Sequence, residues 1–411
     1  MMTMNYDVIV IGGGMVGQAI AVGLAQTDST KPMRIALLDP AQLAEPERGP
    51  AVADYDIRVS ALTAQSQQLL QQLGAWTRIP HDRLSPYRHM TVWDAEGTGR
   101  VQFDAADLHV SELGHIVENR ETVWALQQAL QETPVERLSQ RMRYVDHPNN
   151  DGLTPVVLDD DRVLLTQLVV ACDGAQSQVR QCAGFRTREW DYEHHAIVAT
   201  VRCEHPLQAT AWQRFRPQGP LAFLPLANDA HLASIVWSTS PEEATALMAL
   251  NDDEFNVALA DAFEQQLGRI EASSTRSVVP LRQRHATTYV MPGIALAGDA
   301  AHTIHPLAGQ GVNLGFKDAA ALIDEVQRAW HKQLPLGDML TLGRYDRRRQ
   351  ADNLTTMAAM EGFKRLFASE QPWLRLLRNE GMRWFDRALP IKQHVMMKAM
   401  GLDTTRIEQR P

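Results

Sequence analysis

Residues 298–315 combine an acid with closely spaced glycines: Gly-Asp-Ala-Ala-His-Thr-Ile-His-Pro-Leu-Ala-Gly-Gln-Gly-Val-Asn-Leu-Gly. The apolar run Gly293–Ala297 predicts a short buried strand, which places Asp299 at a strand end. The later glycines predict a turn that opens a helix reaching about Arg328. A helix start offers unpaired N–H groups and partial positive charge, which suit a diphosphate or an anionic flavin ring. An ordinary strand–loop–helix joint is the alternative. The candidate contacts are Gly298, Asp299, Gly309, Gly311, Val312 and Asn313.

A second glycine motif opens the chain, in the setting that dinucleotide binding requires. The hydrophobic strand Tyr6–Ile11 precedes Gly-Gly-Gly-Met-Val-Gly, and a helix through about Ala25 follows. In such a G-x-G-x-x-G pattern the glycines permit a tight turn, approach of the diphosphate and close helix packing. The next strand, Arg34–Leu38, ends in an acid that can accept hydrogen bonds from ribose hydroxyls. The candidate contacts are Gly12, Gly14, Met15, Val16, Gly17 and Asp39.

A third signal lies between these two motifs. Leu164–Ala171 reads as a strand rich in leucine and β-branched residues, and Cys-Asp-Gly-Ala-Gln-Ser-Gln-Val-Arg follows at 172–180. By itself Asp173-Gly174 is better explained as a simple turn. In the company of the other two motifs, Asp173 becomes a candidate cofactor contact.

These three motifs, in this order and at these distances, resemble the flavoprotein aromatic hydroxylases, which are single-component class A monooxygenases. Within that family the chain resembles the ubiquinone-biosynthesis hydroxylases, and most of all the 2-polyprenylphenol hydroxylases (VisC type) that add the C5 oxygen of the ring. Sister enzymes for other ring positions share the three motifs. The resemblance is carried by Leu113–Asn119, Trp190–Thr200, Ala222–Leu226, Ser234–Trp237, His302–Phe316 and Met397–Leu402.

The resemblance implies FAD as cofactor, O2 and NAD(P)H as co-substrates, and hydroxylation of a lipophilic polyprenylphenol through a flavin C4a-hydroperoxide. No further G-x-G-x-x-G marks a separate NAD(P)H domain, so the reductant visits transiently or electrons arrive through a partner protein. A flavin dehydrogenase or reductase on the same fold is the competing class of enzyme. A non-catalytic scaffold within a ubiquinone-biosynthesis complex is a further alternative.

Several residue roles follow from the resemblance alone. Arg58 is expected close to the flavin, and Asn119, at the start of a helix Glu118–Gln131, matches a polar flavin contact. His305 is the candidate to assist deprotonation of the phenol, and Pro306 the wall of the ring site. A solvated arginine and a structural histidine are the respective alternatives. From a sheet, we expect Phe223, Pro225 and Trp237 to face the flavin. The alternative is that they form the ordinary core of that sheet.

Composition bounds the class of protein. A chain of 411 residues with 45% hydrophobic residues can bury a large core. Its 3 cysteines form no C-x-x-C motif, which favours a reducing, cytoplasmic compartment. The pair His302 and His305 lacks further metal ligands nearby, so we expect no metal. We also expect no secretory signal at 1–7, no membrane-spanning segment and, at a net charge of -9, no nucleic-acid partner.

Charge is distributed unevenly along the chain. The segment 344–411 has 14 Lys/Arg and 8 Asp/Glu, a balance of +6, whereas the remainder has a balance of -15. The same segment carries apolar residues at helical spacing, among them Met357, Phe363, Trp373 and Trp384. Basic amphipathic helices can lie on an anionic membrane surface. The alternative is a helical tail that packs on its own body or on another subunit of a homo-oligomer.

The pattern of elements predicts an α/β fold with interleaved domains. A Rossmann-like, three-layer FAD-binding domain is expected from 1–79, 104–184 and 285–343. An antiparallel-sheet substrate domain is expected from 80–103 and 185–284, with one helical stretch over 241–267. C-terminal helices over 344–411 complete the predicted aromatic-hydroxylase fold.

Overall fold

The computed structural model describes residues 4–27, 31–41, 44–95, 97, 99–303, 311–368, 380–381, 384–386 and 388–400. Within these ranges the helices are α1 (Met15–Ala25), α2 (Ala64–Gln72), α3 (Asn119–Gln131), α4 (Gln178–Cys182), α5 (Pro241–Ala249), α6 (Asp252–Ala262), α7 (Gly311–His331), α8 (Met339–Ala368) and α9 (Leu389–Ala399). Most strands fall into two large sheets, and a small third sheet lies between them.

The first large sheet, called the parallel sheet below, has the order β18-β19-β11-β1-β2-β8, with β10 and β9 added antiparallel beside β11. Its strands are β1 (Met4–Ile11), β2 (Ile35–Leu38), β8 (Glu136–Leu138), β9 (Met142–Val145), β10 (Thr154–Leu158), β11 (Val163–Ala171), β18 (Val290–Met291) and β19 (Ile294–Leu296). Three successive residues, Val8, Ile9 and Val10, are fully buried. Such continuous burial is typical of a parallel strand that is covered on both faces.

The second large sheet, called the antiparallel sheet below, has the order β20-β17-β12-β15-β14-β13-β5-β6, with β16 beside β12. Its strands are β5 (His89–Asp94), β6 (Arg100–Asp104), β12 (Thr187–Cys203), β13 (Thr210–Arg216), β14 (Gly219–Pro225), β15 (Leu232–Thr239), β16 (Ile270–Ser273), β17 (Ser277–Ala286) and β20 (His302–Thr303). Within it, β13 and β5 are the exception and run parallel. Helices α5 and α6 pack on one face through a core that includes Phe255 and Phe263.

The small sheet lies against the other face of the antiparallel sheet. It consists of β3 (Val59–Leu62), β7 (Gly114–Glu118) and β4 (Leu84–Tyr87) in the order β3-β7-β4. Ala61 and Ile116 of the small sheet share a hydrophobic cluster with Leu224 and Leu232 of the antiparallel sheet. The small sheet therefore connects the two large ones.

Two of the predicted stretches are subdivided in the structure. The stretch 241–267 is two helices and not one, because the backbone is extended at Leu250 after α5 and Asn251 caps α6. The Asn251 side chain accepts from the Glu254 N–H, and the Glu254 carboxylate accepts from the Asn251 N–H. The predicted excursion 80–103 also divides, since β5 and β6 join the antiparallel sheet whereas β4 joins the small sheet.

The C-terminal helices contact the rest of the molecule at separate places. Tyr345 of α8 is fully buried, and its hydroxyl donates to the Leu296 carbonyl at 2.7 Å. Met396 and Met400 pack against Ala105 and Leu113. No helix in the described part of the chain is both long enough and apolar enough to cross a membrane.

Candidate functional site

Three sequence motifs meet at one edge of the parallel sheet. Strands β1, β11 and β19 run parallel side by side, with Ile11 level with Ala171, and Ala171 level with Leu296. The three motifs begin directly after these strand ends. Because ligands of open α/β sheets bind outside the carboxyl ends of the strands, this edge is the candidate binding site.

The N-terminal glycine turn leaves one position open. Gly12 has φ +105°, and a Cβ there would overlap the Cys172 carbonyl. A Cβ on Gly17 would overlap the Gly12 carbonyl, so α1 can approach β1 only because Gly17 lacks a side chain. By contrast, a Cβ on Gly14 would meet nothing within 4 Å. The backbone at Gly14 is therefore open to a diphosphate.

Asp39 follows β2 at the same edge of the parallel sheet. One carboxylate oxygen accepts from the Gly13 N–H and the other accepts from the Ala41 N–H, the latter at 2.7 Å. These bonds tie the acid to the glycine turn. Each carboxylate oxygen has a further lone pair for a ribose hydroxyl.

Asp173 has one occupied and one unpaired oxygen. Its Oδ2 accepts from the N–H groups of Gln178 at 2.7 Å and Val179 at 3.1 Å. Its Oδ1 is buried without a hydrogen-bond partner in the described part of the chain. Such an orphaned acceptor usually marks a ligand or a water. The nearby Arg180 donates to the Ala300 carbonyl at 2.8 Å and so joins this loop to the turn that carries Asp299.

Asp299 lies on a short helical turn, Gly298–Ala300, directly after β19. Its side chain is accessible to solvent although protein surrounds it on most sides. This burial raises the pKa of Asp299, against the opposing electrostatic effect of His302 and Arg58. Arg58 therefore acts on the carboxylate of Asp299 through its charge.

Helix α7 begins beside this turn. Its Asn313 side chain is occupied by protein groups, since Oδ1 accepts from the Thr63 N–H at 3.1 Å and the Ser66 hydroxyl at 2.7 Å. Only its backbone therefore stays a candidate contact. A Cβ on Gly311 would meet nothing within 4 Å, as at Gly14. Val16 packs against both the Gly298–Ala300 turn and α7. A Cβ on Gly298 would lie 3.1 Å from a methyl group of Val16, and a Cβ on Gly315 would lie 2.6 Å from it.

A cavity of about 370 Å³ lies between the loop that carries Arg58 and the start of α3. Asp56, Arg58, Asn119 and Arg120 supply its polar lining, and Trp124 is an aromatic wall. The Asn119 Oδ1 accepts from the Ser60 hydroxyl at 2.6 Å, which fixes the amide at the start of α3. The structure thus brings Arg58 and Asn119 to the same cavity, and their contact with a flavin stays a prediction.

Glu118 is a buried residue that the sequence analysis did not single out. Its carboxylate accepts from Arg83 at 3.2 Å, from Arg120 at 2.9 Å and from the Asp56 N–H at 2.6 Å. These bonds hold the loop carrying Arg58 against α3. Burial raises the pKa of Glu118, and the two arginines oppose that effect.

The expectation for the sheet aromatics was wrong. Phe223 and Trp237 are fully buried in the core against α5 and α6. The ring centroids of Phe223 and Phe263 are 4.1 Å apart. Pro225 shares their face, because side chains of a strand alternate between faces. The opposite face carries a row formed by Val198, Ala222 and Val236 in cross-strand register. That face is the one turned toward the small sheet.

Three predicted contacts, His305, Pro306 and Gly309, lie outside the described residues. The positions that are described fit an extended dinucleotide such as FAD. Open backbone at Gly14 and Gly311, an orphaned oxygen on Asp173 and an accessible carboxylate on Asp299 lie along one sheet edge. The backbone at Gly14 and Gly311 would face the diphosphate or the flavin ring of FAD. Asp173 and Asp299 would accept hydrogen bonds from its hydroxyl or amine groups.

Comparison with known proteins gives a family and a fold. The family model described as "FAD binding domain" matches residues 5–333. The 3-demethoxyubiquinol 3-hydroxylase of Escherichia coli is 39% identical over 398 residues, covering 96% of this chain and 98% of that protein. The mitochondrial ubiquinone biosynthesis monooxygenase COQ6 of Xenopus tropicalis is 36% identical, covering 95% of this chain and 92% of that one.

Solved structures resemble the whole chain. The crystal structure of p-nitrophenol 4-monooxygenase PnpA from Pseudomonas putida DLL-E4 superposes with a TM-score of 0.77 at 19% identity, covering 99% of this chain and 100% of that one. CabE, an aromatic hydroxylase from angucycline biosynthesis, gives 0.70 at 20% identity, covering 98% and 77%. These structures confirm the predicted α/β aromatic-hydroxylase fold.

Proposed function

This chain belongs to the FAD binding domain family, among the hydroxylases of ubiquinone biosynthesis, and on that premise we propose that it adds the C5 oxygen to the ring of a polyprenylphenol. It is an FAD-dependent monooxygenase, an oxidoreductase that uses O2. The single observation that carries the proposal is the convergence of three motifs at adjacent strand ends of the parallel sheet. NAD(P)H is the proposed electron donor.

Bound FAD supplies the activation of O2 and the transfer of one oxygen atom to the ring. The chain binds and orients. Gly14 and the start of α1 receive the diphosphate, while Asp39 and Asp299 accept from hydroxyl groups at its two sides. Asp173 provides a further acceptor through its unpaired oxygen. Arg58 adds positive charge to the site, which favours a reduced, anionic flavin.

The substrate ring is proposed to lie between the turn of Asp299 and the antiparallel sheet. The row Val198, Ala222 and Val236 offers it small apolar side chains, and Val198 and Val236 are partly exposed. Such a surface excludes water and suits a lipophilic phenol. His305 stays the proposed group that assists removal of the phenol proton.

The exposed face of α9 is a candidate for bringing the enzyme to its lipophilic substrate. Helix α9 divides its apolar residues between two faces: Met396 packs inward, whereas Ile391 and Val395 are exposed one helical turn apart. Trp384, just before the helix, is 62% exposed. We propose that this exposed face of α9 contacts the membrane surface, or a protein of a ubiquinone-biosynthesis complex, while the protein stays peripheral.

A second candidate reaction is hydroxylation of a different ring position on a later precursor. The specific observation in its favour is the 39% identity to the 3-demethoxyubiquinol 3-hydroxylase of Escherichia coli. Both reactions add one oxygen to a prenylated ring, so the same residues would serve both. The two differ in which precursor accumulates when the enzyme is missing.

Extraction of quinones from a strain lacking the gene separates these reactions. An accumulated prenylphenol lacking the C5 oxygen supports the proposal, and an accumulated demethoxyubiquinol supports the second candidate. The purified protein, given the accumulated precursor, a reductant and labelled O2, should place one labelled atom in the ring of the product. A product without label would instead identify a flavin dehydrogenase or reductase. The Gly14→Val variant is the matched negative control, because its added side chain would occupy the open diphosphate position.

A further inference from the structure

A buried charge cluster lies behind the turn that carries Asp299. Asp318 of α7, His302 of β20 and Arg349 of α8 are all at most 4% exposed. These three elements follow one another in the described chain and meet at this point. None of the three faces the open cleft, and the roles assigned above use none of them.

Asp318 holds the turn at both ends. One carboxylate oxygen, Oδ2, accepts from the Gly298 N–H at 2.9 Å and from His302 Nε2 at 2.6 Å. These two donors lie immediately before and three residues after Asp299. Two bonds to one oxygen, across so short a segment, leave the intervening backbone little freedom to rotate.

The other oxygen of Asp318 connects the turn to the C-terminal helices. Oδ1 accepts from Arg349 Nε at 2.7 Å, and Arg349 donates further to Asp352 at 2.6 Å and Asn353 at 2.7 Å. Asn353 in turn donates to the Tyr289 hydroxyl at 3.0 Å. Helix α8 is therefore part of the support of the turn.

The chemistry of the cluster matches a role in fixing geometry. Burial would raise the pKa of Asp318, but the electrostatic effect and hydrogen bonds of His302 and Arg349 outweigh it and hold that pKa below its usual value. Buried ion pairs are costly to desolvate, and apolar side chains of similar volume are often as stable. An apolar group could not bond both Gly298 and His302, so orientation of the turn is what Asp318 supplies.

We propose that Asp318 is a positioning residue for the flavin, which together with Arg349 fixes the Gly298–His302 turn so that Asp299 meets the cofactor. This inference rests on the role proposed above for Asp299. It adds that the C-terminal helix α8, through Arg349, sets the orientation of a flavin contact. The bound flavin should therefore report changes made at Asp318, although Asp318 does not reach the cleft.

The test compares Asp318→Asn with Asp324→Asn, a control on the same helix whose exposed side chain pairs only with Arg348 in the described structure. FAD is titrated into apo-protein and its affinity is read from flavin fluorescence. The visible spectrum and reduction potential of the bound flavin are then recorded, and unfolding of the apo-protein is followed separately. Asp318→Asn should lower FAD affinity about tenfold and shift the flavin spectrum, because a loosened turn displaces Asp299. Asp324→Asn should change neither.

Asp299→Ala, measured alongside, separates the two possible failures. If Asp299→Ala weakens FAD binding but Asp318→Asn alters only apo-protein stability, with unchanged affinity and spectrum, the positioning role is wrong. If Asp299→Ala also has no effect, the proposed role of Asp299 fails first. Should Asp318→Asn not fold, His302→Phe is measured in its place, since it keeps a ring but removes the donor that bonds Asp318. A normal affinity and spectrum in that variant would overturn the proposal.

Discussion

The two large sheets place functional residues in different ways. In the parallel sheet the candidate contacts follow the strand ends, where Asp39, Asp173 and Asp299 stand in turns after β2, β11 and β19. In the antiparallel sheet the candidate contacts lie along the strands, and the face decides their role. Phe223 and Ala222 are neighbours in the chain, yet only Phe223 is packed in the core against α6.

This difference explains where local patterns can be trusted. A strand followed by a glycine turn and a helix specifies its own ligand edge, because carboxyl ends of parallel strands coincide. A half-buried strand specifies two faces but does not state which one meets a partner. An aromatic side chain does not identify the ligand-facing side of a strand, since large aromatic rings also pack in hydrophobic cores. The following predictions test this contrast, from the largest expected effect to the smallest.

Gly17→Val should prevent folding or destabilise the protein by about 3 kcal/mol or more, since its side chain would overlap the Gly12 carbonyl and push the backbone apart. Gly14→Val should fold but lose FAD, because that position is open in the structure. Chemical denaturation and flavin absorbance measure the two effects. Equal destabilisation by both substitutions would show that the Gly14 position is not reserved for a ligand.

Phe223→Ala should destabilise the protein by about 3–5 kcal/mol, as expected for loss of a buried aromatic side chain. FAD affinity of the folded fraction should stay unchanged, because Phe223 faces α6 and not the cleft. Val236→Ala, on the opposite face, is the control and should cost less than about 1.5 kcal/mol while raising KM for the substrate. A reversed pattern, with KM changed by Phe223→Ala alone, would contradict the assignment of the two faces.

Asp299→Ala should weaken FAD binding roughly ten- to hundredfold, because loss of a charge-assisted hydrogen bond costs about 1.5–3 kcal/mol. Hydroxylation should fall with it. Titration of apo-protein gives the affinity, and Asp324→Ala is the control for removal of an acid elsewhere. An unaltered dissociation constant would refute the assigned contact at the end of β19.

The smallest effect is expected at the exposed face of α9. Replacing Ile391 and Val395 together by glutamate should lower turnover of a long-chain substrate a few-fold more than that of a short-chain analogue, since only the former must be taken from a membrane or complex. His394→Glu, also exposed on α9, controls for added charge. We prefer substitutions to removal of α9, because Met396 of this helix packs against Ala105 and Leu113 and its loss would disturb the fold. An unchanged ratio would leave this face without a docking role.

Much of the parallel sheet could be predicted from the sequence. The strands before the three motifs, the start of α1 at Met15 and the end of α7 near His331 all follow from hydrophobic runs and glycine turns a few residues long. These signals are local, so a single chain displays them. The expectation that Arg58 lies near the flavin came from the family resemblance and not from spacing.

The charged pairs behind the site could not be found in this way. Arg83 pairs with Glu118 and Asp318 with Arg349, partners 35 and 31 residues apart with no pattern between them. One signal does exist in the sequence: Asp318 interrupts an apolar helical stripe between Leu314 and Leu322. A charge in such a stripe predicts a buried partner but does not say which residue it is.

The sequence by itself therefore determined the cofactor-binding edge, because glycine conformation, strand ends and helix starts act over a few neighbouring residues. Only the tertiary structure decided which face of the antiparallel sheet meets α5 and α6, and which distant charges hold the turn of Asp299. The physical reason is that burial and pairing depend on which elements pack together. That choice is made by the whole hydrophobic core and not by any one segment.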